Sequence, residues 1–434
     1  MSGEVDFGIY WCQNKVLSKD RDTEMELITS LFERALNLQP PWTVKKIDFD
    51  EQQKRLNIIF DFPRGSVFPC PKCHSPSKAY DTTEKQWRHL NFFQYDCYII
   101  ARLPRIECGE HGILQVEVPW SRSGADFTLL FESFAMTLVR EMPVNCVSRI
   151  VGEDDNKLWR MLRHYIKEAR THENYSSVSS IGVDETSAKK GHDYVTIVVD
   201  LEEKRTIFVT EGKDSSTMEK FKKDIVVHHG IPENITDASI DMSPAFIKGI
   251  EENFSNAAIT FDKFHIMKIL GKAVDEVRKN ESKEQEMLRG TRYIWLKNRD
   301  NLTKKQMKSL ADIESLPRCN IKTVRAFHMR ENFQLAYLES TLQGFEAQLK
   351  KWYFWATHSR IGPMIEVART INAHWPGVVR WFTSKINNGI LEGLNSLIQA
   401  AKAKARGYRT FENFSAIIYL ITGKLDFSKT GLPT

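Results

Sequence analysis

The sequence predicts a multidomain α+β protein, and three observations carry that expectation. Two Cys/His pairs stand in the first third of the chain, with 35 positions from Cys73 to Cys108. A short helical stretch, a glycine and a basic helical stretch come next. Strand-like runs ending in acids then give way to a long helical block. At 434 residues the chain has room for about two to four domains. Its 41% apolar and 27% charged content is that of a soluble globular protein rather than a disordered one. No apolar run approaches the ~18 residues of a membrane span, and the N-terminus lacks the basic and apolar regions of a signal peptide. Seven cysteines, odd in number and irregularly spread, argue against a disulfide framework and for a reducing cytosol. A net charge of +5 permits nucleic acid as a partner without requiring it.

Residues 1–63 are expected to form a small mixed segment. A helical pattern over 23–38 stops before Pro40-Pro41, and strands follow over 42–48 and 55–62. Residues 64–120 are expected to form a zinc ribbon. Cys70-Pro-Lys-Cys73 and Cys108-Gly-Glu-His111 are each short enough for a knuckle turn, and glycine beside the second pair permits that turn. Cys70, Cys73, Cys108 and His111 are the expected ligands, with His74, His89 and Cys97 competing for the fourth place. Cys97 lies in an apolar strand and also suits a core thiol. Zinc here is structural, because the module is too small for a core of its own.

Residues 121–175 are all helical by pattern. Helices over 127–140 and 144–151, the turn at Gly152 and a basic helix over 154–169 suit a helix-turn-helix that binds DNA. Lys157, Arg160 and Arg163 are the expected contacts on that last helix, which also carries His164 and Lys167. A solvated basic face is the alternative. A polar, serine-rich stretch over 174–180 then serves as a linker.

From residue 180 strands dominate. A short apolar run ends at Asp184, a hairpin spans 194–210 and a helix spans 216–227. A second run ends at Asp241, followed by Ser243 and Pro244 at a helix start. A further strand is closed by Asp262-Lys-Phe-His265. About 120 residues of helical pattern follow, and then a helix carrying Glu392. Strand, hairpin, helix, strand, helix, strand and final helix is the element order of a ribonuclease-H-like α/β core. That core is expected over 178–265 and 386–434, with an all-helical insertion over 266–385. Its three converging acids are Asp184, Asp241 and Glu392, separated by 57 and 151 residues. Glu185, Asp200 and Asp262 are rival carboxylates. Clustered carboxylates need divalent cations between them, and magnesium suits an all-oxygen site with open positions for water and phosphate. Two such ions could drive an in-line phosphodiester displacement without any nucleophilic side chain.

The final helix repeats Glu392, Asn395, Gln399, Lys402 and Arg406 on one face, and Leu391, Leu394, Ile398, Ala401 and Ala405 on another. Asn395, Lys402, Lys404 and Arg406 are expected to contact DNA. Lys189 and Lys190 join them, with pairing to Asp184 as their alternative role. Trp295 is the aromatic expected to stack on a displaced base, and Tyr408 either stacks on a base or packs past the helix end.

These residues resemble the ISL-three family of bacterial insertion-sequence transposases, within the DDE transposases. The resemblance runs over roughly residues 65–425. It rests on Cys70-Pro-x-Cys73, the helix-turn-helix region, Gly182-Val-Asp184-Glu185 and Asp241-Met-Ser243-Pro244-Ala-Phe246. It continues through Asp262-Lys-Phe264-His265, Tyr293-Ile-Trp-Leu-Lys297, Gly389-x-x-Glu392-Gly393-x-Asn395-x-x-Ile398 and Ala405-Arg406-Gly407-Tyr408-Arg409-x-Phe411. It implies that Asp184, Asp241 and Glu392 form the catalytic triad and bind two magnesium ions, with manganese as the substitute in vitro. Asp262 and His265 support that site; capping and packing of the following helix is their alternative role. The second zinc pair departs from the family's Cys-x-x-Cys by ending in His111. The implied reaction nicks the element's terminal inverted repeats and joins the 3′-hydroxyl ends to target DNA, in a bacterial cytoplasm, at the nucleoid. Two ends held together imply a homodimer or higher assembly on double-stranded DNA. An idle repressor derived from such an enzyme, or a metal-dependent nuclease without joining activity, are the rival functions.

Overall fold

A computed structural model describes residues 26–189, 193–315, 321–384 and 389–433. The chain divides into two units. One runs to Tyr165 and includes the tail from Phe427; the other is Ile166–Asp426.

In the first unit, helix α1 (26–35) precedes six strands. These are β1 (Thr43–Asp50), β2 (Arg55–Asp61), β3 (Val67–Pro69), β4 (Pro76–Arg88), β5 (Asp96–Cys108) and β6 (Gly112–Gln115). They form one sheet in the order β1-β2-β5-β4-β3, with β6 paired to β5. The two-residue period of the strands sends Leu56, Ile58 and Phe60 of β2, and Cys97, Ile99, Ala101 and Leu103 of β5, into a core shared with Trp42 and Trp87. The expected boundary at residue 63 therefore falls inside one sheet. β1 and β2 come before it, yet β2 pairs in parallel with β5 of the ribbon.

Three helices follow: α2 (Leu129–Glu141), α3 (Val144–Val151) and α4 (Asp155–Thr171). Thr128 caps α2 by accepting from the Phe131 amide. Gly152 ends α3 in the left-handed conformation, φ 69°, which glycine adopts without a Cβ penalty. The tail packs here too. The Arg140 guanidinium sits 4.9 Å from the Phe427 ring centre, and Ser133 Oγ donates to the Pro433 carbonyl at 2.8 Å. Residues 427–433 thus cluster with the first unit rather than with the core expected to include them.

The second unit is built on β7 (Ser180–Ser187), β8 (Tyr194–Asp200), β9 (Arg205–Glu211), β10 (Asp237–Ile240) and β11 (Ala258–Phe261), in the order β11-β10-β7-β8-β9. β7, β10 and β11 are parallel, whereas β7-β8-β9 is an antiparallel meander. This is the ribonuclease-H-like arrangement that the element order predicts. Helices α5 (Ser216–Val227) and α6 (Pro244–Asn253) make the crossovers, and α7 (Lys263–Glu281) leads out of β11. The helical block continues through α8 (Arg292–Leu296), α9 (Lys304–Glu314), α10 (Lys322–Ala336), α11 (Leu342–Thr357), α12 (Gly362–Ala373) and α13 (Trp375–Ser384). Its buried Phe327, Phe333, Leu349 and Trp352 join the same hydrophobic core as Ile181, Val183, Ile240 and Phe246. Helices α14 (Gly389–Lys404) and α15 (Phe411–Thr422) return to the sheet. Among the described residues, no helix is long and apolar enough to cross a membrane.

Candidate active site and zinc cluster

Strand register brings three aspartates to one level. Ser239 pairs with Gly182 of β7 on one side and with Thr260 of β11 on the other. Two residues further along each chain stand Asp184, inside β7, which runs on past the expected strand end to Ser187, and Asp241 and Asp262, just beyond the carboxyl ends of β10 and β11. In open α/β sheets this edge is where ligands bind. Asp241 accepts from the Ser243 amide at 2.9 Å, which directs its carboxylate at the start of α6. Asp262 is 2% exposed and forms the N-cap position of α7 without a side-chain capping bond. It pairs instead with His265 Nδ1 at 3.4 Å. That partner raises the His265 pKa, with the charges of Asp184 and Asp241 adding to the effect against the cost of burial. Burial, reinforced by the charges of Asp241 and Glu185, raises the Asp184 carboxyl, while a hydrogen bond from the Glu185 amide and His265 oppose the rise.

Helix α14 lies along β7 by a repeating contact. Leu391 covers Gly182, where a Cβ would come within 2.8 Å of Leu391 Cδ1. Asn395 Nδ2 donates to Asp184 Oδ2 at 2.5 Å, Gln399 Nε2 to Thr186 Oγ1 at 2.5 Å, and Lys402 Nζ to the Ser187 carbonyl at 2.5 Å. Residues 182, 184 and 186 share one face of the strand, and 391, 395 and 399 share one face of the helix. Glu392 is exposed in the first turn of α14, one turn before Asn395. The three acids of the expected triad do not form a tight cluster. Among the described residues, the one group of three or more Asp, Glu, His or Cys whose ligand atoms all lie within 4.8 Å of one another is elsewhere.

Other expectations for this region need correction. Asn395 and Lys402, expected on DNA, face β7. Arg406 does not continue their face, because α14 ends at Lys404. Arg406 takes a left-handed conformation, φ 58°, and the Gly407 and Arg406 amides close back on the Lys402 and Ala403 carbonyls. Trp295 is 0% exposed, packs on Phe327 and donates its indole N–H to Thr291 Oγ1 at 2.9 Å, so no base can stack on it. Tyr408 packs: its ring stacks on Phe414 with centres 5.3 Å apart. Lys189 is exposed beside a cavity of about 310 Å³ lined also by Tyr194, Glu211, Tyr408 and Phe411. Lys190 lies outside the described residues. Asp200, a rival acid, is buried at the end of β8, where it pairs with Ile181 rather than Asp184, and accepts from the Glu202 and Glu203 amides of the hairpin turn.

The tight cluster is Cys70, Cys73, Cys108 and His111. Cys73 Sγ is 3.6 Å from Cys108 Sγ, and His111 Nδ1 is 3.6 Å from Cys108 Sγ and 3.9 Å from Cys70 Sγ. Ligands about 2.0–2.3 Å from a tetrahedral zinc ion stand roughly 3.5–3.8 Å from one another. The His111 contact, with the Glu110 and His111 amides, lowers the Cys108 thiol to about 6, which favours the thiolate that zinc requires. The three competitors are placed elsewhere. His74 is exposed in the knuckle with φ 58°, and His89 is buried against Thr128 Oγ1. Cys97 is buried in the sheet core, which pushes its thiol up to about 12. On α4, Arg160 and Arg163 are exposed; Arg160 pairs with Asp126 at 2.9 Å and Lys157 with Glu153 at 3.2 Å.

Sequence reasoning missed two features of the site. The small residue Gly182, two positions before Asp184, was the available signal for close helix approach. Nothing in the sequence marked Tyr337, whose buried hydroxyl has no hydrogen-bond partner among the described residues and feels the charge of Asp262.

Comparison with known proteins agrees with these features. Residues 181–418 match the ISL3 family described as "Transposase". Residues 116–166 match the helix-turn-helix domain of transposase family ISL3, and 66–111 the zinc-finger of transposase IS204/IS1001/IS1096/IS1165. The chain is 25% identical over 429 residues to the transposase for insertion sequence element IS1557 of Mycobacterium tuberculosis (strain CDC 1551 / Oshkosh), spanning 90% of this chain and 94% of that protein. It is 23% identical over 381 residues to the transposase for insertion sequence element IS1001 of Bordetella parapertussis, spanning 86% and 93%. The chain belongs to the ISL3 family of transposases.

Proposed function

We propose that this chain moves an insertion sequence by DDE chemistry, with Asp184, Asp241 and Glu392 as its metal-binding acids. The observation that carries the proposal is the shared level of Asp184 and Asp241 on adjacent parallel strands, with the helix bearing Glu392 docked on the same strand. The donor set fits a hard cation: it is all oxygen, and Asp184 is a partly buried carboxylate beside a second one. When bound, two magnesium ions, for which manganese substitutes, polarise the scissile phosphodiester and lower the pKa of the attacking hydroxyl.

The protein's own groups do the rest. Asp184 and Asp241 are held in place by backbone amides, and Glu392 is presented from the solvent side of α14. His265, its pKa raised by Asp262, offers a positive group to a phosphate oxygen. The zinc ribbon and helix-turn-helix bind the terminal inverted repeats, with Lys157, Arg160 and Arg163 giving up weak surface pairs for phosphate. Lys189, Lys404 and Arg406 extend that phosphate grip near the core. Water attacks the phosphorus at the element's end, and the P–O3′ bond breaks to leave a 3′-hydroxyl. That hydroxyl then attacks target DNA and displaces its 3′-oxygen. Two ends handled together require a homodimer or larger assembly on DNA.

The test is Glu392→Gln assayed on terminal-repeat DNA. Binding is expected to persist while cleavage and joining fall to background; cleavage by the variant would overturn the triad. Pre-cleaved ends incubated with wild-type protein and target DNA should yield joined product. Cleavage without joining would mark a nuclease instead.

A further inference from the structure

We infer that Asn395 is a positioning residue of the acid site, orienting Asp184 for its cation, rather than a DNA contact. This inference rests on the proposed role of Asp184. Both oxygens of that carboxylate are engaged by neutral N–H donors: Oδ1 by the Glu185 amide at 2.8 Å and Oδ2 by Asn395 Nδ2 at 2.5 Å. Two such bonds fix the plane of the carboxylate and leave one lone pair on each oxygen for a cation.

The residue type matters. A lysine or arginine in this place would also orient Asp184, but its charge would cancel the one that attracts the metal. An amide orients without neutralising. The nearest cation on the same helix face, Lys402, is two turns away and tied to a backbone carbonyl. The amide orientation follows from electrostatics, since the reverse would set Asn395 Oδ1 against the carboxylate oxygen.

A second observation points the same way. Asn395 Oδ1 is buried and has no donor among the described residues. A buried carbonyl without a partner is costly, and a water held by the cation would be a donor of the kind it lacks. Gln399 provides an internal contrast. It makes the same kind of bond one turn later, to Thr186, away from the acids.

The experiment is a titration of zinc-loaded full-length protein with Mn²⁺, read as loss of the free-ion electron paramagnetic resonance signal without DNA, and paired with thermal melts. Asp184→Asn should abolish tight Mn²⁺ binding. Asn395→Ala should weaken it about 10-fold, the scale seen when a partner of a metal ligand is lost. Gln399→Ala should lower the melting temperature and leave Mn²⁺ affinity unchanged. Asn395→Leu, which keeps the volume, should match Asn395→Ala and covers the case in which the alanine variant fails to fold. If Asp184→Asn loses binding while both Asn395 variants keep wild-type affinity, the positioning role is wrong and the acid site stands. If Gln399→Ala weakens binding as much as Asn395→Ala, the effect is helix docking and the inference falls. Retained binding in Asp184→Asn would instead overturn the acid site itself.

Discussion

His89 shows how one buried side chain ties pH to stability in this protein. Its ring Nδ1 meets Thr128 Oγ1 at 2.8 Å, and its backbone amide donates to the Cys97 carbonyl. Burial, with the Arg88 charge adding, lowers its pKa from 6.5 to about 4. The folded protein keeps the ring neutral where the unfolded chain would protonate it. The stabilisation is therefore complete above about pH 6.5 and is lost as pH falls towards about 4, by up to about 3 kcal/mol. His89→Gln should flatten the acid limb of the melting-temperature profile over that range; an unchanged limb would show that another group controls it. Legibility at this scale depended on residue chemistry. Cys97 in an apolar strand could be read as a core thiol, and the Cys/His knuckles could be read from spacing. Trp295 could not, because an aromatic in a helical pattern suits a core and a stacking platform equally.

At the scale of elements, the docking of α14 on β7 depends on a missing side chain. A Cβ at position 182 would lie 2.8 Å from Leu391 Cδ1 and 2.9 Å from Leu201 Cδ2. Gly182→Ala should cost about 1–3 kcal/mol through overpacking. Leu391→Ala should recover part of that loss, so the double variant melts above the sum of the single effects in a denaturant cycle. Strict additivity would mean that the helix does not bear on the strand there. Asp241 was legible just past the end of β10 because a helix start at Ser243-Pro244 follows it, whereas Asp184 was expected to end a strand that runs on to Ser187. The polar face of α14 was misread because Asn, Gln and Lys serve a phosphate and a strand edge equally well. Which of the two lies opposite is decided by pairings between residues some 200 positions apart, as with Asn395 and Asp184. No local pattern records them.

Over the whole molecule, the two units hold themselves together by different means. The second has a continuous apolar core through sheet and helices, whereas the ribbon adds a Cys/His cluster whose ligand atoms all lie within 4.8 Å of one another. Chelation should therefore abolish binding to terminal repeats and remove one calorimetric transition, leaving the second unit's transition in place. Loss of both transitions together would show that the second unit needs the metal as well. The order of ribbon, helix-turn-helix and catalytic core was legible from motifs, but the placement of the two ends was not. β1 and β2 complete the ribbon's sheet and the last residues join the first unit, through contacts that no short window of sequence contains. The contact between α14 and β7 bears on chain length as well. Four helical residues advance about 6.0 Å and two strand residues about 6.6 Å, so the two elements work as a vernier. Lys402 closes the scale by taking a three-residue step to the next carbonyl. The bonds from Asn395, Gln399 and Lys402 to β7 therefore set where Glu392 stands on its helix, whatever path the chain takes to reach α14. A single residue added between Glu392 and Asn395 would swing it by about 100°. Glu392 lies 151 residues beyond Asp241 along the chain, yet its phase is set by the three steps that lead from it to Asn395.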